Sequence, residues 1–360
     1  MDIVALLEHL IAIKSPTGSE ESILDELTSR FRGAASGLGI HRSPSGLVVM
    51  SEGRPEPGPR PAEPRPFIVL AGHVDTVPAQ GDPGPRREGD LLYGLGTSDM
   101  KSGLAVMVQL GLTLDWRTLP ADLALVFYGG EEGPFEGNTL GRLLEEVPWL
   151  LEADLAILME PTDNQIELGC VGCLNVEVAV PGEPCHSARP WLGRSAVGEA
   201  ASWILEMSRR EPVPRIVEGL LFRETAAITL LSSGSARNVI PGSLTANVNL
   251  RYAPDRTGED VLREFSSGLP ASWTWRLVDE APPGRIDAGA PQVRRFLETV
   301  ERPRRAKQGW TDVARFTARG VPAINFGPGI PELAHRRDEH VPVKNLEESL
   351  DWMRLFLQGS

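Results

Sequence analysis

FIVLAGHVD, residues 67–75, begins as an uninterrupted apolar run and ends in a histidine and an aspartate. A short apolar run rich in branched side chains is typical of a strand that is buried on both faces of a sheet. Two later runs share this pattern, LALVFY (123–128) and LAILME (155–160), and the helical stretch SGLAVMVQLGLTL (102–114) precedes the first of them. Strands that alternate with helices predict an α/β fold with a mostly parallel sheet sandwiched by helices.

The periodicity changes in the middle of the chain. NVEVAV (175–180) alternates between apolar and polar residues, and the segments that follow read as β-α-β-β-α-β up to SWTWRLVDE (272–280). This order predicts a smaller α+β domain of the ferredoxin-like type, with one antiparallel sheet and two helices. After it, helices and strands alternate again. The predicted bounds are 1–172 and 285–360 for the α/β domain, and 173–284 for the inserted domain.

The composition excludes several classes of function. Lys+Arg 36 against Asp+Glu 49 gives a net charge of -13 without a basic block, which argues against nucleic acid or an anionic membrane as partner. No apolar run reaches the ~20 residues that span a bilayer, and the N-terminus does not resemble a signal peptide. The proline-rich stretch 53–66 predicts an exposed loop. Three cysteines, an odd number, favour a reducing compartment, so we expect a cytoplasmic protein.

Side chains that can bind metals or transfer protons follow the predicted strands where each strand ends. They are His73, Asp75, Asp99, Glu131, Glu132, Glu160 and His335. Open α/β sheets bind ligands outside the carboxyl ends of their strands. Alone, a strand-end aspartate is more often a helix cap, and two adjacent glutamates are usually solvated. As a set, however, carboxylates at one sheet edge would repel one another unless a cation neutralised them, and mixed N/O ligands suit Zn²⁺ or a similar divalent ion.

Five motifs carry a more specific signal. GHVDTVP (72–78), GTSDMKSG (96–103), FYGGEEG (127–133), MEPT (159–162) and AHRRDE (334–339) resemble, in order and spacing, one co-catalytic zinc family. That family includes aminoacylase, acetylornithine deacetylase, the glutamate carboxypeptidases and succinyl-diaminopimelate desuccinylase. The likeness extends over nearly the whole chain, and further stretches such as HSARPWLG and GWTDVARF are most similar to the actinobacterial type of succinyl-diaminopimelate desuccinylase.

The resemblance implies two divalent metal ions in each subunit, most often Zn²⁺, with Co²⁺ or Mn²⁺ as alternatives. Asp99 would bridge the two ions; His73 and Glu160 would complete one site, and Glu132 and His335 the other. Glu131 would be the general base. Asp75 would orient the His73 imidazole. The family also implies a cis peptide bond after Asp99.

The inserted domain would then be a lid and dimerisation domain. The resemblance implies a homodimer in which His186, within HSAR, contacts the oxyanion in the active site of the other subunit. The positions that face substrate in relatives correspond here to Arg189, Asn238, Arg251, Thr311, Gly327 and Gly329. From the residues alone, Arg251 could equally form an ion pair within the fold.

Taken together, these features predict a metal-dependent amide hydrolase that acts on a small anionic N-acyl amino acid. The resemblance favours N-succinyl-L,L-diaminopimelate as substrate, cleaved to succinate and L,L-diaminopimelate. Two alternatives stay open. One is a related hydrolase with another acyl group or a peptide as substrate, namely an acetylornithine deacetylase, an aminoacylase or a carboxypeptidase. The other is a non-catalytic homologue that acts as a binding protein.

Overall fold

The computed structural model describes residues 2–34, 38–51, 65–78 and 84–359, and all structural statements concern these residues. Most of the predicted proline-rich loop lies outside them. No helix of the described residues combines the length and the apolar character needed to cross a lipid bilayer. The chain divides into two compact units. The first spans Met1–Gly169, Gly284–Lys307 and Thr311–Ser360, and the second spans Cys170–Pro283 and Gln308–Trp310.

Helices and strands alternate along most of the chain. The helices are α1 (Ile3–Ala12), α2 (Glu21–Ala34), α3 (Lys101–Thr113), α4 (Leu140–Glu146), α5 (Ala196–Ser208), α6 (Gly258–Ser267), α7 (Pro291–Thr299), α8 (Val313–Thr317) and α9 (Val343–Gln358). The strands are β1 (Leu38–Ser43), β2 (Gly46–Ser51), β3 (Phe67–His73), β4 (Arg86–Glu88), β5 (Leu91–Tyr93), β6 (Asp122–Tyr128), β7 (Leu155–Leu158), β8 (Ile166–Leu168), β9 (Gly172–Pro181), β10 (Cys185–His186), β11 (Val213–Val217), β12 (Leu220–Ser233), β13 (Val239–Ile240), β14 (Ser243–Tyr252), β15 (Thr274–Ala281), β16 (Arg304–Ala306), β17 (Ala323–Asn325) and β18 (His340–Pro342).

An eight-stranded sheet forms the centre of the first unit. Its strand order is β1-β2-β6-β3-β7-β17-β8-β16. The consecutive strands β6, β3, β7 and β17 are parallel to their neighbours, and β16 is parallel to β8, whereas β1, β2 and the β17–β8 pair add antiparallel connections. The predicted α/β fold with a mostly parallel sheet is therefore confirmed.

The central strands are apolar throughout because both faces of the sheet are covered. Every residue of β3 is buried. On one face, its alternate side chains Phe67, Val69 and Ala71 share a core with residues of α4 and α8. On the other face, α3 lies so close that a Cβ on Gly72 would come 2.9 Å from the Leu104 side chain. Burial on both faces explains why a strand of this sheet reads as a continuous hydrophobic run.

The second unit contains a five-stranded antiparallel sheet with the order β11-β12-β14-β9-β15. Four of these strands, β12, β14, β9 and β15, have the ferredoxin-like order that the sequence predicts, and β11 extends the sheet by one strand. The helices α5 and α6 cover one face, where Leu174, Val176 and Val248 lie in the core. In the structure this unit begins at Cys170 and includes Gln308–Trp310, while the prediction starts the inserted domain at residue 173.

A small three-stranded sheet, β18-β5-β4, was not part of the prediction. It joins residues 86–93, which precede Asp99, to residues 340–342, which follow His335. The amide of Gly94 also donates a hydrogen bond to the carbonyl of Glu339 (3.1 Å). This sheet therefore ties together two loops that are more than 200 residues apart in sequence and that carry candidate metal ligands.

The packing of α3 on the sheet generates a stability prediction. A Cβ on Gly103 would lie 2.1 Å from the carbonyl oxygen of Met159, which is backbone and cannot move aside. We expect Gly103→Ala to lower the free energy of unfolding by about 1–3 kcal/mol, as in other overpacked cores. Gly33→Ala is the matched control, because a Cβ on this α2 glycine meets no atom within 4 Å. The free energy of unfolding of this variant should rise by up to about 1 kcal/mol, because alanine has a higher helix propensity than glycine. Equal shifts in denaturant midpoint for the two variants would contradict this account.

Candidate metal centre

The carboxyl ends of β3, β6 and β7 lie side by side at one edge of the large sheet, because these strands are parallel neighbours. His73 is the last residue of β3. Glu131 and Glu132 follow β6 after two glycines, and Glu160 lies two residues beyond β7. Asp99 precedes α3, and the peptide bond after it is cis, as the resemblance implies.

The first cluster consists of His73, Asp99 and Glu160. The His73 Nε2 atom lies 3.2 Å from Asp99 Oδ1 and 3.9 Å from Glu160 Oε1. The side chains of His73 and Glu160 are almost completely buried. One ligand atom from each of the three residues lies within 4.8 Å of the others, as a common metal ion requires.

The second cluster consists of Asp99, Glu132 and His335. The His335 Nε2 atom lies 2.8 Å from Glu132 Oε1 and 3.6 Å from Asp99 Oδ2. These ligand atoms also lie within 4.8 Å of one another. Asp99 thus presents Oδ1 to the first cluster and Oδ2 to the second, which is the arrangement expected of a carboxylate that bridges two ions.

Asp75 fixes both the histidine and the glutamate loop. The Nδ1 atom of His73 faces the Asp75 carbonyl oxygen (3.1 Å) and Oδ1 (3.4 Å), so Nδ1 carries the proton and the Nε2 lone pair is directed at the first cluster. The Asp75 carboxylate also accepts the backbone N–H groups of Glu131 and Glu132, both at 3.2 Å. Thr17 donates a third hydrogen bond to it (2.9 Å), a contact that the sequence analysis missed.

Desolvation makes this group of carboxylates costly to ionise. Burial raises the pKa of Glu131 well above its usual range, raises that of Glu132, and raises that of Glu160 to about 8. The Oε1 atom of Glu160 is buried and makes no hydrogen bond within the described part of the chain. A divalent cation at this edge would supply the missing partner and offset the repulsion, so the residues present fit a metal centre.

Lys307, a buried ammonium group beside the Glu160 loop, does not remove the need for a cation. Lys307 is almost completely buried, and its Nζ atom donates to the carbonyl of Pro161 (2.7 Å), the residue after Glu160. It also forms an ion pair with Glu167 (3.0 Å). Because Glu167 already balances its charge, Lys307 holds the Glu160 loop in place more than it neutralises the cluster. No sequence pattern singled it out.

Glu339 has the same function for the loop that carries Asp99. Its buried carboxylate accepts the backbone N–H groups of Gly96 (3.1 Å), Ser98 (2.8 Å) and Asp99 (3.0 Å). Burial raises the pKa of Glu339 to about 7, although these three hydrogen bonds favour the charged form. Since Glu339 lies four residues after His335, it also links His335 to Asp99, two of the three ligands of the second cluster.

Two of the predicted substrate residues of the first unit, Gly327 and Gly329, lie close to the ligand loops. A Cβ on Gly327 would lie 2.5 Å from the Glu160 carbonyl oxygen, and one on Gly329 would lie 2.1 Å from that of Ser98. Because glycine has no side chain, other segments of the protein's own backbone can approach Gly327 and Gly329 closely. Thr311 is buried, and its hydroxyl donates to Asn325 Oδ1 (2.9 Å).

The remaining predicted residues belong to the second unit. His186 lies on β10, which pairs with β13, and its Nδ1 atom accepts a hydrogen bond from the Ala188 amide (3.1 Å). The proton of a neutral His186 therefore resides on Nε2, which leaves that atom as a donor. The carbonyl of Asn238 accepts the N–H of Ser187, and the N–H of Arg189 donates to the His186 carbonyl, so these residues form one local cluster. Arg251 lies on β14 and is not part of this local cluster.

The Glu339 contacts generate a prediction about metal affinity. In Glu339→Gln, an amide NH₂ replaces one acceptor and faces backbone N–H groups, which should loosen the Asp99 loop. We expect zinc affinity, measured by competition with a chelating dye, to fall about 10- to 100-fold, as for other residues that support metal ligands. Asp338→Asn is the control, because Asp338 is exposed and its side chain pairs with Arg336. Wild-type affinity in Glu339→Gln would refute the role of Glu339.

Comparisons with known proteins agree with this geometry. A protein of Mycobacterium tuberculosis that bears the name DapE is 39% identical over 359 residues, which cover 99% of this chain and 98% of that protein. The succinyl-diaminopimelate desuccinylase of Corynebacterium glutamicum is 36% identical over 363 residues, with coverage of 99% and 96%. Among solved structures, the aminopeptidase PepT from Bacillus cereus superposes with a TM-score of 0.76 at 19% identity, covering 99% and 97% of the two chains, and therefore supports the fold alone.

The family comparison covers most of the chain. The model of peptidase family M20/M25/M40 matches residues 69–359, a range that contains all the candidate metal ligands. Relatives at 36–39% identity over the full length point to the same group of enzymes. This chain therefore belongs to peptidase family M20/M25/M40 and is a hydrolase that acts on amide bonds.

Proposed function

We propose that this protein is a desuccinylase that hydrolyses N-succinyl-L,L-diaminopimelate to succinate and L,L-diaminopimelate. The observation that carries the proposal is the pair of three-residue clusters that share Asp99. The choice of substrate rests on the similarity to the Corynebacterium glutamicum enzyme, which is named for this reaction. The three cysteines are free thiols, which is consistent with the expected cytoplasmic location.

Two divalent ions, with Zn²⁺ as the best match to the mixed ligands and Co²⁺ or Mn²⁺ as alternatives, complete the proposed active site. His73, Glu160 and Asp99 would hold one ion, and Asp99, Glu132 and His335 the other. When bound, such a pair polarises an amide carbonyl and acidifies water. The neighbouring Asp75 and Glu339 keep the ligands in position through the contacts described above.

Glu131 is the proposed general base. It takes a proton from water as the water oxygen forms a bond to the amide carbon, and it delivers this proton to the nitrogen as the C–N bond breaks. Desolvation raises its pKa above the usual range, which makes its carboxylate a stronger proton acceptor. Its backbone N–H is held by Asp75 (3.2 Å), so its position relative to Glu132 is fixed.

His186 is the proposed donor to the oxyanion. The hydrogen bond from Ala188 to Nδ1 supports this role, because it keeps the Nε2 proton available. We further propose that His186 acts across a homodimer interface, as the family resemblance implies. Large apolar side chains are exposed near an edge of the five-stranded sheet, among them Ile216, Leu230 and Leu231. β11 pairs only with Leu220–Glu224, so in the described chain the rest of β12 is available to a second copy.

The proposed substrate residues are Arg189, Asn238, Arg251, Thr311, Gly327 and Gly329. A substrate with carboxylates at both ends needs local cations in a protein with a net charge of -13, and arginine suits carboxylates best. Arg189 and Arg251 form no ion pair within the described residues and are therefore the strongest candidates for this contact.

Exchange of the proposed base tests the mechanism. Glu131→Gln should lower kcat about 10²- to 10⁴-fold while metal content, measured by elemental analysis, stays at the wild-type value. The neighbouring variant Glu132→Gln is the matched comparison, because it removes a proposed ligand and should lower metal content as well. Full activity in Glu131→Gln would overturn the assignment of the base.

A substrate panel tests the specificity. We expect kcat/KM for N-succinyl-L,L-diaminopimelate to exceed that for N-acetylornithine, N-acetyl amino acids and dipeptides by at least about tenfold, because a site built for a second carboxylate loses its charge partner with those compounds. Removal of metal by a chelator should abolish hydrolysis, and Zn²⁺ should restore it. Preferential turnover of N-acetylornithine or a dipeptide would reject the desuccinylase in favour of a related hydrolase.

A further inference from the structure

The five-stranded sheet of the second unit has one face without helices, and a row of polar side chains crosses it. Residues of even number on β9 and β14, such as Val176 and Val248, point into the core with α5 and α6. Their odd-numbered neighbours point to the opposite face, where Asn175 of β9 lies directly across from Asn249 of β14. Polar residues on an open sheet face usually interact with water, so bonds among them call for an explanation.

The row starts at Arg251 and runs across three strands. Arg251 donates from Nε to Asn249 Oδ1 (2.9 Å). Asn249 donates from Nδ2 to Asn175 Oδ1 (3.1 Å) and faces the Cys173 sulfur (3.2 Å). Asn247 donates from its own Nδ2 to the same Asn175 oxygen (3.1 Å) and to Thr229 Oγ1 of β12 (2.7 Å). We call five of these residues the amide row: Arg251, Asn249, Asn175, Asn247 and Thr229.

Arg251 fixes the orientation of the neighbouring amides. A guanidinium group only donates hydrogen bonds, so the side chain of Asn249 must turn its oxygen towards Arg251. Its nitrogen then points to Asn175, whose side chain must present an oxygen in turn. Each bond of the row therefore supports the next, and the Arg251 guanidinium plane is held at its Nε atom.

The terminal nitrogens of Arg251 are left for another partner. Within the described residues, no carboxylate lies within ion-pair distance of Arg251, although Asp279 is opposite Asn175 on β15. Other arginines of this unit contact acids instead: Arg256 pairs with Glu224 (2.9 Å), and Arg215 pairs with Asp255 (2.7 Å). Arg251 is thus held by a neutral amide, which orients its fork without neutralising its charge.

We propose that Asn249 is a positioning residue that, supported by the amide row, holds Arg251 ready for a carboxylate group of the substrate. The inference rests on the proposed function, because it requires an anionic substrate. An acid at position 249 would hold the same Nε atom but would compete with the substrate for the charge. An amide holds the arginine and leaves its Nη1 and Nη2 atoms free for a bidentate contact.

Kinetics of three variants test this role. Asn249→Leu should raise KM for the N-succinyl substrate about tenfold and leave kcat within about twofold, since the lost hydrogen bond involves a charged group. Asn249→Asp, which is isosteric and expected to fold, should raise KM by neutralising Arg251. Thr245→Val, on the same strand and face but outside the amide row and without contact to Arg251, should change KM less than twofold. In an Arg251→Lys background, Asn249→Leu should have no further effect on KM.

A second readout does not depend on catalysis. The Arg251 Nε–H resonance, assigned by its absence from Arg251→Lys, should exchange slowly with water in the wild type because Asn249 accepts this proton. Asn249→Leu should make the exchange fast, whereas Asn249→Asp and Thr245→Val should keep it slow. Unchanged KM and unchanged exchange in Asn249→Leu would overturn the inference. A wild-type protein that hydrolyses no amide of the panel but shows these exchange rates would refute the proposed function and leave the positioning role supported.

Discussion

The concentration of carboxylates at one buried edge of the large sheet is the constraint on which the rest of the first unit depends. Parallel pairing of β6, β3 and β7 brings the ends of all three strands together, so the acids that follow them become neighbours whatever their separation in sequence. In that environment burial raises the pKa of Glu160 to about 8 and that of Glu131 well above its usual value. A bound cation would offset the electrostatic cost of ionising these buried carboxylates, so the arrangement fits a centre that binds cations.

The polypeptide backbone counteracts the repulsion. Asp75 and Glu339 together accept five backbone N–H groups from the two loops that carry Glu131, Glu132 and Asp99. Gly327 and Gly329 let a further segment approach closely to the loops that carry Glu160 and Asp99. Each ligand side chain is thus attached to a loop that is fixed independently of the metal, which keeps the geometry available to an incoming ion.

The sequence predicted those elements that follow from the local pattern of apolar residues. Continuous apolar runs marked β3, β6 and β7, and their last residues gave the candidate ligands because a parallel sheet aligns strand ends. Other features depend on contacts over long separations. Thr17 donates a hydrogen bond to the Asp75 carboxylate, 58 residues away, and Lys307 and Glu339 form hydrogen bonds with backbone atoms that are 146 and 240 residues away. Asn249 alternates with apolar residues like any solvent-facing strand residue, so only its bond to Arg251 distinguishes it.

The position of β17 in the sheet has a consequence for biosynthesis. This strand, residues 323–325, lies between β7 and β8, although the whole of the second unit is translated before it. A nascent chain on the ribosome therefore has a gap in its central sheet until residues 323–325 emerge, and His335 follows later still. Because the second cluster needs His335, the two ions of the proposed centre can be loaded together only after His335 has left the ribosome. The inserted unit, whose sheet is complete by residue 281, has time to fold before that moment.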